Sequence, residues 1–542
     1  MGVANHEGEA MGPSLRRIAT LAALLSLCVT WMSAGSGPRA GAKAVFPGCE
    51  PAGAARLTVG RVACHEIPSR TLGGTTAFSY FIPPDCAPAL HRRCPVLYLL
   101  HGFGGDLTSE MGTGPHPSST VAALTKGPSV DPNTVMDPWS YANPSGWVPR
   151  RPIDFILVAP DGRTVPGGNG PEPWLDGFWG DWNPRYAKGG DMERYATPPP
   201  RFESHLLREL IPFVERRFPA GRGRDWRALL GTSLGGYGSY KIGLRHPDAF
   251  SSIGSISGAH NFLLGPGPDP VRGPDSGVDA PPAGYLQVPG IASDVMPLTS
   301  LPGPLKQFAV AFFALGDPVA DQAYFRGNMP RDLALNGAAF AGSEPSLVIR
   351  GFSNDAIPRR AEDFSDLPTY LGEEAFEMLV LDMNIQMNEA FDVEGVPYQY
   401  ELHPGIHSGP YWDPFVRGQL EAQYARVRHW DGGGDPPPQP DAFAYRSIDR
   451  RFTVWGWRVS VQREPTEFLT LTDVSCRAVT LHGTGTVTVT VPRRCATGVN
   501  GDRVFTADLG ASGAIDDGAD TSATTVHGRT VTVQLTPLGQ RS

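Results

Sequence analysis

Residues 231–236, Gly-Thr-Ser-Leu-Gly-Gly, lie between an apolar run over 228–230 and a helical run over 237–244. This order predicts a tight turn from a strand into a helix, with Ser233 at its apex. Glycines two residues to either side of the serine are needed because the backbone there is crowded and strained. Such a turn holds the hydroxyl clear of the sheet. An ordinary glycine-rich loop with a helix-capping serine is the alternative.

Strand-like apolar runs alternate with helical patterns between residues 95 and 430. This alternation predicts an α/β unit with a mostly parallel sheet flanked by helices. The predicted strands cover 96–100, 155–159, 228–230 and 253–256, and the predicted helices cover 203–214 and 373–391. We interpret the methionines of the second helix as core residues. The Gly-, Pro- and Asp-rich stretch 261–303 is predicted to be a surface excursion.

Residues 431–440, DGGGDPPPQP, predict a linker, because glycines loosen a chain and prolines extend it. Beyond the linker, β-branched and polar residues alternate in the segments 451–461, 484–491 and 525–535. This pattern predicts a small all-β C-terminal domain at 441–542, which we interpret as a sandwich.

The N-terminal residues have the order of an export signal. Arg16 and Arg17 precede an apolar run over 18–31, and small residues follow. This order predicts a cleaved secretory signal at 1–44, because a membrane span needs about 20 apolar residues. An uncleaved anchor is the alternative. The protein is therefore expected to be secreted, extracellular or in the cell envelope, with no transmembrane segment after processing.

The cysteines favour the same compartment. Cys28 lies in the predicted signal, which leaves six cysteines for the remaining chain. Sequence proximity favours three short-range disulfides. These are Cys49 with Cys64, Cys86 with Cys94, and Cys476 with Cys495. No C-x-x-C pair occurs, so neither a structural zinc site nor a redox dithiol is expected.

The charge balance bears on the class of partner. The chain has 55 acidic and 46 basic residues, which gives a formal net charge of −9. No basic block suits a phosphate backbone, so nucleic-acid binding is disfavoured.

A serine that attacks a carbonyl carbon needs donors for the negative charge that develops on the carbonyl oxygen. The N–H of Leu234, directly after Ser233, is the first predicted donor. The predicted strand 96–100 runs into His-Gly-Phe-Gly-Gly, and its Phe103 N–H is the second predicted donor. Taken alone, this second segment is also compatible with an ordinary turn.

The base is predicted to be a histidine on a loop that follows Ser233 in the chain. When the serine lies on a strand-to-helix turn of an α/β sheet, the chain order of the three residues is Ser, acid, His. His407 follows a strand-like run over 398–402 and is the preferred residue, while His403 competes with it. A zinc site at the two histidines fails because Pro404 and Gly405 break the helix that their spacing would require.

The acid is less constrained, because its task is to hold the imidazole tautomer. Three carboxylates lie at suitable points between the serine and the histidine, namely Asp317, Asp355 and Glu377. Position relative to the predicted strands favours Asp355.

An ordered series of motifs over residues 75–430 resembles the esterase-D and trehalose mycolyltransferase group of α/β-hydrolases. The motifs are LYLLHGFGG, FWGDW at 178–182, GTSLGGYGS, HPDAFSSIGSISG and GIHSGPYW. The resemblance implies an α/β-hydrolase esterase or acyltransferase domain over 45–430. It favours Glu377 as the acid, as in mycolyltransferase-like members, with Asp355 as runner-up because esterase-D relatives use an aspartate nearer the strand.

The resemblance also implies that Trp179, Asp181 and Trp412 line an acceptor site. Aromatic core packing and a loop-capping aspartate are the equal alternative.

These features predict a secreted serine esterase or acyltransferase that forms an acyl-enzyme on lipid, glycolipid or sugar esters. The resemblance includes mycolyl-type transfer to trehalose or another sugar hydroxyl. No metal or cofactor is expected, because this chemistry needs none. A non-catalytic cell-envelope or glycan-binding protein on the same scaffold is the first alternative, and a peptidase is the second.

Overall fold

The structure is a computed structural model of the chain. It describes residues 49–51, 57–111, 120, 153–164, 176–183, 199–262, 315, 322–342, 344–359, 367–427, 439–463, 466–495, 503–510 and 529–535. The predicted signal at 1–44, most of the linker at 431–440 and most of the excursion at 261–303 lie outside these residues. So does Asp317.

Eight strands form one mixed sheet. They are β1 (Ala63–Ser69), β2 (Gly74–Phe81), β3 (Val96–Leu100), β4 (Ile156–Pro160), β5 (Arg227–Thr232), β6 (Ser252–Ile256), β9 (Val348–Asn354) and β10 (Gln399–His403). Two short strands, β7 (Ala339–Ala341) and β8 (Glu344–Pro345), come between β6 and β9 in the chain. The order across the sheet is β1-β2-β4-β3-β5-β6-β9-β10. Strand β2 is antiparallel to both of its neighbours, and the pairs from β4 to β10 are parallel.

The described helices are α1 over 202–217, α2 (Leu234–Arg245), α3 (Gln322–Arg326), α4 (Leu367–Val393) and α5 (Gly409–Val427). Helix α1 contains a π-helical turn at Leu206–Leu210. The helices predicted at 203–214 and 373–391 lie within α1 and α4, so both predictions are confirmed.

Every residue of β3, β4 and β6 is buried, as expected of parallel strands that are covered on both faces. Alternate residues of β3 point to opposite faces. Tyr98 belongs to an apolar cluster that includes residues of α1, α2 and α4, and Leu99 to a second cluster that includes residues of α5. Met383 and Met387 lie in the first cluster, which confirms that the methionine stripe is core. The mostly parallel, helix-flanked α/β sheet is therefore confirmed.

The remaining strands are antiparallel. They are β11 (Ala442–Ser447), β12 (Arg451–Val454), β13 (Trp457–Gln462), β14 (Leu469–Ser475), β15 (Ala478–Gly483), β16 (Thr486–Val491), β17 (Arg503–Asp508) and β18 (Arg529–Gln534). Together with β7 and β8, these strands form two sheets, in the orders β18-β15-β14-β11-β7-β8 and β12-β13-β16-β17. Residues of both sheets build one apolar cluster. The predicted all-β character of the C-terminal part is confirmed for these strands.

One C-terminal sheet extends beyond the predicted domain. Strand β7 pairs with β11 through Ala442 opposite Phe340, so residues that precede α4 complete a sheet of the C-terminal part. The predicted boundary at residue 441 did not anticipate this pairing. Backbone hydrogen bonds between β7 and β11 therefore join the two parts of the chain.

All three predicted disulfides are present, which confirms the pairing made from sequence proximity. They join Cys49 to Cys64, Cys86 to Cys94, and Cys476 to Cys495. The third joins Cys476, which lies between β14 and β15, to Cys495, which follows β16. Because β14 and β15 belong to one C-terminal sheet and β16 to the other, this disulfide links segments of the two sheets. Within the described part of the chain, no helix combines the length and the apolar composition that crossing a membrane requires.

Candidate active site

Ser233 occupies the sharp turn between β5 and α2. Its φ of 56° and ψ of −118° lie where non-glycine residues are rarely found, and its N–H donates to the Ile256 carbonyl at 2.7 Å. A Cβ on Gly231 would lie 2.0 Å from the Gly235 carbonyl oxygen, and one on Gly235 would lie 1.8 Å from that of Leu100. Both contacts are with backbone atoms that cannot move aside. The glycine spacing around the serine therefore has a direct steric cause.

His407 lies on the loop between β10 and α5, and its side chain reaches Ser233. The Nε2 atom is 2.9 Å from Ser233 Oγ. The imidazole is buried, and the rings of Phe376 and Trp412 pack edge-on against it, with centroids 4.6 and 4.8 Å away. These contacts fix the plane of the ring with Nε2 directed at the hydroxyl.

Glu377 of α4 completes a hydrogen-bonded chain with His407 and Ser233. Its Oε2 is 2.5 Å from His407 Nδ1, and its side chain is fully buried. Its Oε1 accepts from the Asn354 N–H at 2.7 Å and from the Ser257 hydroxyl at 2.8 Å. These donors replace the water that burial removes.

The geometry assigns the protons in this chain. A carboxylate on Nδ1 accepts from an N–H, so the proton of neutral His407 belongs on Nδ1. Nε2 then carries a lone pair and accepts from the Ser233 hydroxyl. Nε2 is thereby able to take the serine proton.

The runner-up acid, Asp355, has other partners. Its carboxylate forms an ion pair with Arg359 at 2.6 Å and accepts from the Gly405 N–H at 3.0 Å. Burial acts to raise the pKa of Asp355, but these hydrogen bonds outweigh it and hold the pKa below its ordinary value. The competing histidine, His403, lies 3.1 Å from Glu401. The structure therefore brings Glu377, not Asp355, to His407, and His407, not His403, to Ser233.

The segments that carry the two predicted donors for a developing oxyanion lie next to Ser233. Leu234 is the first residue of α2, so its N–H has no acceptor within the helix. The loop after β3 passes so near that a Cβ on Gly102 would lie 3.2 Å from Ser233 Cβ. Phe103 follows Gly102, and its ring packs edge-on against Phe178.

His101 and Asp176 hold this loop, and neither was predicted. Gly162 N–H donates to His101 Nε2 at 2.8 Å, so the proton lies on Nδ1 and is donated to the Gly102 carbonyl at 2.8 Å. Burial lowers the pKa of His101 and keeps its ring neutral. The Gly104 N–H donates to Asp176 at 2.8 Å, and burial raises the pKa of that carboxyl to about 7. The signal for His101 was its position as the first residue of HGFGG.

Trp179 and Asp181, predicted to contact an acceptor, both make hydrogen bonds within the fold. Trp179 is buried and donates from Nε1 to the His101 carbonyl at 3.1 Å. Asp181 accepts from the Ser204 N–H at 2.9 Å and from Arg201 at 3.2 Å. These contacts fit core packing and loop capping, and the acceptor-binding roles stay predictions.

Trp412 lies beside the histidine, and its N–H is likewise used within the fold. Its Nε1 donates to Ser257 Oγ at 3.0 Å, and that hydroxyl contacts Glu377. Sequence reasoning missed Ser257, although it lies in the HPDAFSSIGSISG motif. Among the described residues, no group of three or more histidine, cysteine, aspartate or glutamate side chains is arranged to hold a metal ion.

Comparison with known solved structures identifies several similar chains. A ferulic acid esterase has 18% identity, covers 67% of this chain and 98% of its own length, and has a TM-score of 0.39. An S-formylglutathione hydrolase from Agrobacterium tumefaciens has 17% identity, coverages of 68% and 95%, and a TM-score of 0.38. MPT51 from Mycobacterium tuberculosis has 16% identity, coverages of 67% and 97%, and a TM-score of 0.36.

A family model also matches the chain. Residues 176–280 match the family Esterase, described as "Putative esterase", and this stretch contains β5, Ser233 and α2. The matched segment thus includes the strained turn. The resemblance to an esterase family that the motifs predicted is thereby confirmed over residues 176–280.

Proposed function

We propose that this protein is a secreted serine esterase in which Ser233 is the nucleophile, His407 the general base and Glu377 the residue that orients the imidazole. One observation carries the proposal. The hydroxyl at the apex of the strained turn is 2.9 Å from an imidazole nitrogen whose other nitrogen is 2.5 Å from a buried carboxylate. An activated nucleophile requires this arrangement of serine, base and orienting group.

In the first half-reaction, Ser233 Oγ attacks the ester carbonyl carbon and its proton passes to His407 Nε2. The carbonyl oxygen becomes an oxyanion, which the N–H groups of Phe103 and Leu234 stabilise. The C–O bond to the alcohol then breaks, and the alcohol leaves with the proton from Nε2. The acyl group remains on Ser233 as an ester, and Glu377 stabilises the imidazolium that forms between these steps.

In the second half-reaction, an acceptor hydroxyl attacks the acyl-enzyme. Its proton passes to His407 Nε2, the bond from Ser233 Oγ to the acyl carbon breaks, and the proton returns to Oγ. Water as acceptor gives ester hydrolysis, and a sugar hydroxyl gives acyl transfer. The internal hydrogen bonds of Trp179 and Trp412 favour hydrolysis as the first activity to test, because those indole N–H groups already have acceptors.

The substrate class follows from the family resemblance and the predicted export. We propose lipid, glycolipid or sugar esters at the cell envelope as the substrates. The three disulfides support a location outside the reducing cytosol, because such bonds persist in oxidising compartments. Expression of the full chain with a C-terminal tag tests this, and recovery of the tagged protein only in the cytosolic fraction would contradict export.

Turnover of a short p-nitrophenyl ester tests the nucleophile. Ser233→Ala removes the attacking oxygen and is expected to reduce kcat to the background rate. Ser460→Ala, a serine substitution in β13 of the C-terminal part, is the matched control and should keep wild-type kcat. Equal turnover by wild type and Ser233→Ala would refute the proposal, whereas wild-type protein that gives only the background rate would favour the non-catalytic glycan-binding alternative.

The acceptor is tested on the same enzyme. Wild-type protein is incubated with a long-chain p-nitrophenyl ester, with and without trehalose, and the products are separated. A hydrolase gives free fatty acid in both cases, whereas an acyltransferase gives the sugar ester when trehalose is added. Cleavage of peptides with no cleavage of esters would instead favour the peptidase alternative.

A further inference from the structure

Ser257 is a second serine held in an unusual backbone conformation close to Ser233. It follows β6 directly, has a φ of 44° and is fully buried. Its N–H donates to the Phe352 carbonyl at 2.7 Å. Non-glycine residues in this region of φ cost free energy and persist where the surroundings hold them. The strained position directs the hydroxyl at Glu377.

The direction of the hydrogen bonds at Ser257 is fixed by chemistry. An indole N–H can only donate, so the contact of Trp412 Nε1 with Ser257 Oγ at 3.0 Å uses a lone pair of the hydroxyl. The single hydroxyl proton is then available for Glu377 Oε1 at 2.8 Å, because a carboxylate can only accept. A continuous path of donors therefore runs from Trp412 through Ser257 to Glu377.

The orientation of Glu377 depends on what its two oxygens contact. Oε2 faces His407, while Oε1 is held by Ser257 and by the Asn354 N–H. A carboxylate with one oxygen held by two donors cannot rotate without breaking both bonds. The second donor thus keeps Oε2 in line with His407 Nδ1.

We infer that Ser257 is a positioning residue for Glu377, and that Trp412 acts on the same carboxylate through Ser257 by fixing its hydroxyl. This inference rests on the proposed function, since it concerns the orientation of the proposed triad. Under this inference, Trp412 contributes to catalysis by fixing the Ser257 hydroxyl, without any contact with an acceptor substrate. A hydrogen bond from a neutral donor to a buried charge contributes enough that its loss should lower kcat about tenfold.

The informative substitution is Ser257→Gly. Glycine tolerates a φ of 44°, so the variant keeps the backbone conformation and loses the small side chain that carries the hydroxyl. We expect its kcat for a p-nitrophenyl ester to fall about tenfold with KM unchanged, and its labelling by a fluorophosphonate probe to slow by a similar factor. Ser255→Ala in β6 is the matched control, because that hydroxyl contacts His260 and not Glu377, so the variant should keep kcat within about twofold of wild type.

Trp412→Phe tests the second step of the path. Phenylalanine keeps an aromatic ring against His407 but has no N–H for Ser257. We expect a smaller fall in kcat, about threefold, because the Ser257 hydroxyl remains but is free to rotate. In the double variant, the loss should equal that of Ser257→Gly alone, since Trp412 acts through the missing hydroxyl.

Two results would overturn the inference. Wild-type kcat and wild-type labelling in Ser257→Gly would show that the hydroxyl does not orient Glu377. Multiplying losses in the double variant would show that Trp412 acts independently of Ser257. If Ser257→Gly does not fold, the test rests on Trp412→Phe, and a wild-type kcat in that variant would contradict the inference. Failure of the proposed function is distinct, because wild-type protein itself would then resist the fluorophosphonate.

Discussion

Arg245, the last residue of α2, donates to the carboxylate of Asp449 in the C-terminal part at 2.7 Å. The carbonyl of Arg245 also accepts from the Tyr445 hydroxyl at 2.7 Å. Helix α2 therefore begins next to Ser233 and ends against the β-sheets of the C-terminal part. The C-terminal part thus supports the helix on which the strained turn depends.

Asp449→Asn should weaken this support slightly. Asp449 is 40% exposed and Arg245 keeps its ion pair with Glu203 at 3.0 Å, so we expect a loss of up to about 1 kcal/mol in the free energy of unfolding. Because the far end of α2 makes no contact with the reacting atoms, kcat should not change. Urea unfolding and ester turnover of the same preparation check both statements. A fall in kcat without a fall in stability would contradict this account of the contact.

Gly235→Ala should severely destabilise the protein. The added Cβ would lie 1.8 Å from the Leu100 carbonyl oxygen, and backbone atoms cannot relieve that contact by a side-chain rotation. We expect a loss of about 3 kcal/mol or more in the free energy of unfolding. Gly418→Ala in α5 is the control, because nothing lies within 4 Å of its Cβ position, and alanine there should stabilise by about 0.5–1 kcal/mol. Similar stability of the two variants in thermal unfolding would refute the steric explanation.

Asp176 should make stability depend on pH below neutrality. Burial raises its pKa from 3.8 to about 7, so between these values the native carboxyl holds a proton that the unfolded chain has released. The stabilisation from this proton is complete below the unfolded pKa and is lost as the pH rises through about 7. It falls by at most about 1.4 kcal/mol per pH unit.

Asp176→Asn tests this sign. The asparagine is neutral at every pH and its side-chain oxygen can still accept from the Gly104 N–H. Urea unfolding from pH 4 to pH 8 should show the stability of wild type falling relative to the variant as the pH rises. Parallel curves for the two proteins would mean that Asp176 does not titrate in this range.

Glu377→Gln should impair catalysis far more than Asp355→Asn. The amide oxygen of glutamine can accept from His407 Nδ1, but the negative charge that stabilises the imidazolium is lost, and the NH2 group can instead enforce the wrong tautomer. We expect kcat to fall about a thousandfold or more. Asp355→Asn loses the ion pair with Arg359 and should reduce kcat by less than about tenfold, since Asp355 does not contact the imidazole. The reverse order of effects in steady-state kinetics would assign the acid to Asp355.

The turn at Ser233 could be predicted from the sequence because its shape restricts which residues fit there. The turn at Ser233 excludes a side chain at Gly231 and Gly235, so its residues are recognisable wherever the turn occurs. The chain order of serine, acid and histidine then pointed to His407. The residues alone favoured Asp355, and the family resemblance was needed to favour Glu377, because any carboxylate on a nearby loop meets the same chemical need.

The roles of His101 and Ser257 and the pairing of β7 with β11 could not be predicted, because they depend on contacts between residues that are far apart in the chain. His101 and Ser257 make hydrogen bonds to Gly162 and Glu377, which are distant from them in the chain, and no periodicity in the sequence marks such partners. The pairing of β7 with β11 likewise joins segments about 100 residues apart through backbone groups, which every residue type carries. The GIHSGPYW motif predicted that Trp412 lies near His407. It could not predict that the Trp412 N–H donates to Ser257, because that contact depends on how α5 packs in the fold.

Intact-protein mass spectrometry of an acid-quenched reaction tests the central claim most directly. Wild-type protein mixed briefly with a p-nitrophenyl ester should gain the mass of one acyl group, and peptide mapping should locate that group on Ser233. His407→Ala should accumulate far less of the adduct, and Ser233→Ala none. An acyl group on another residue, or turnover by wild type with no adduct and full activity in Ser233→Ala, would contradict the account.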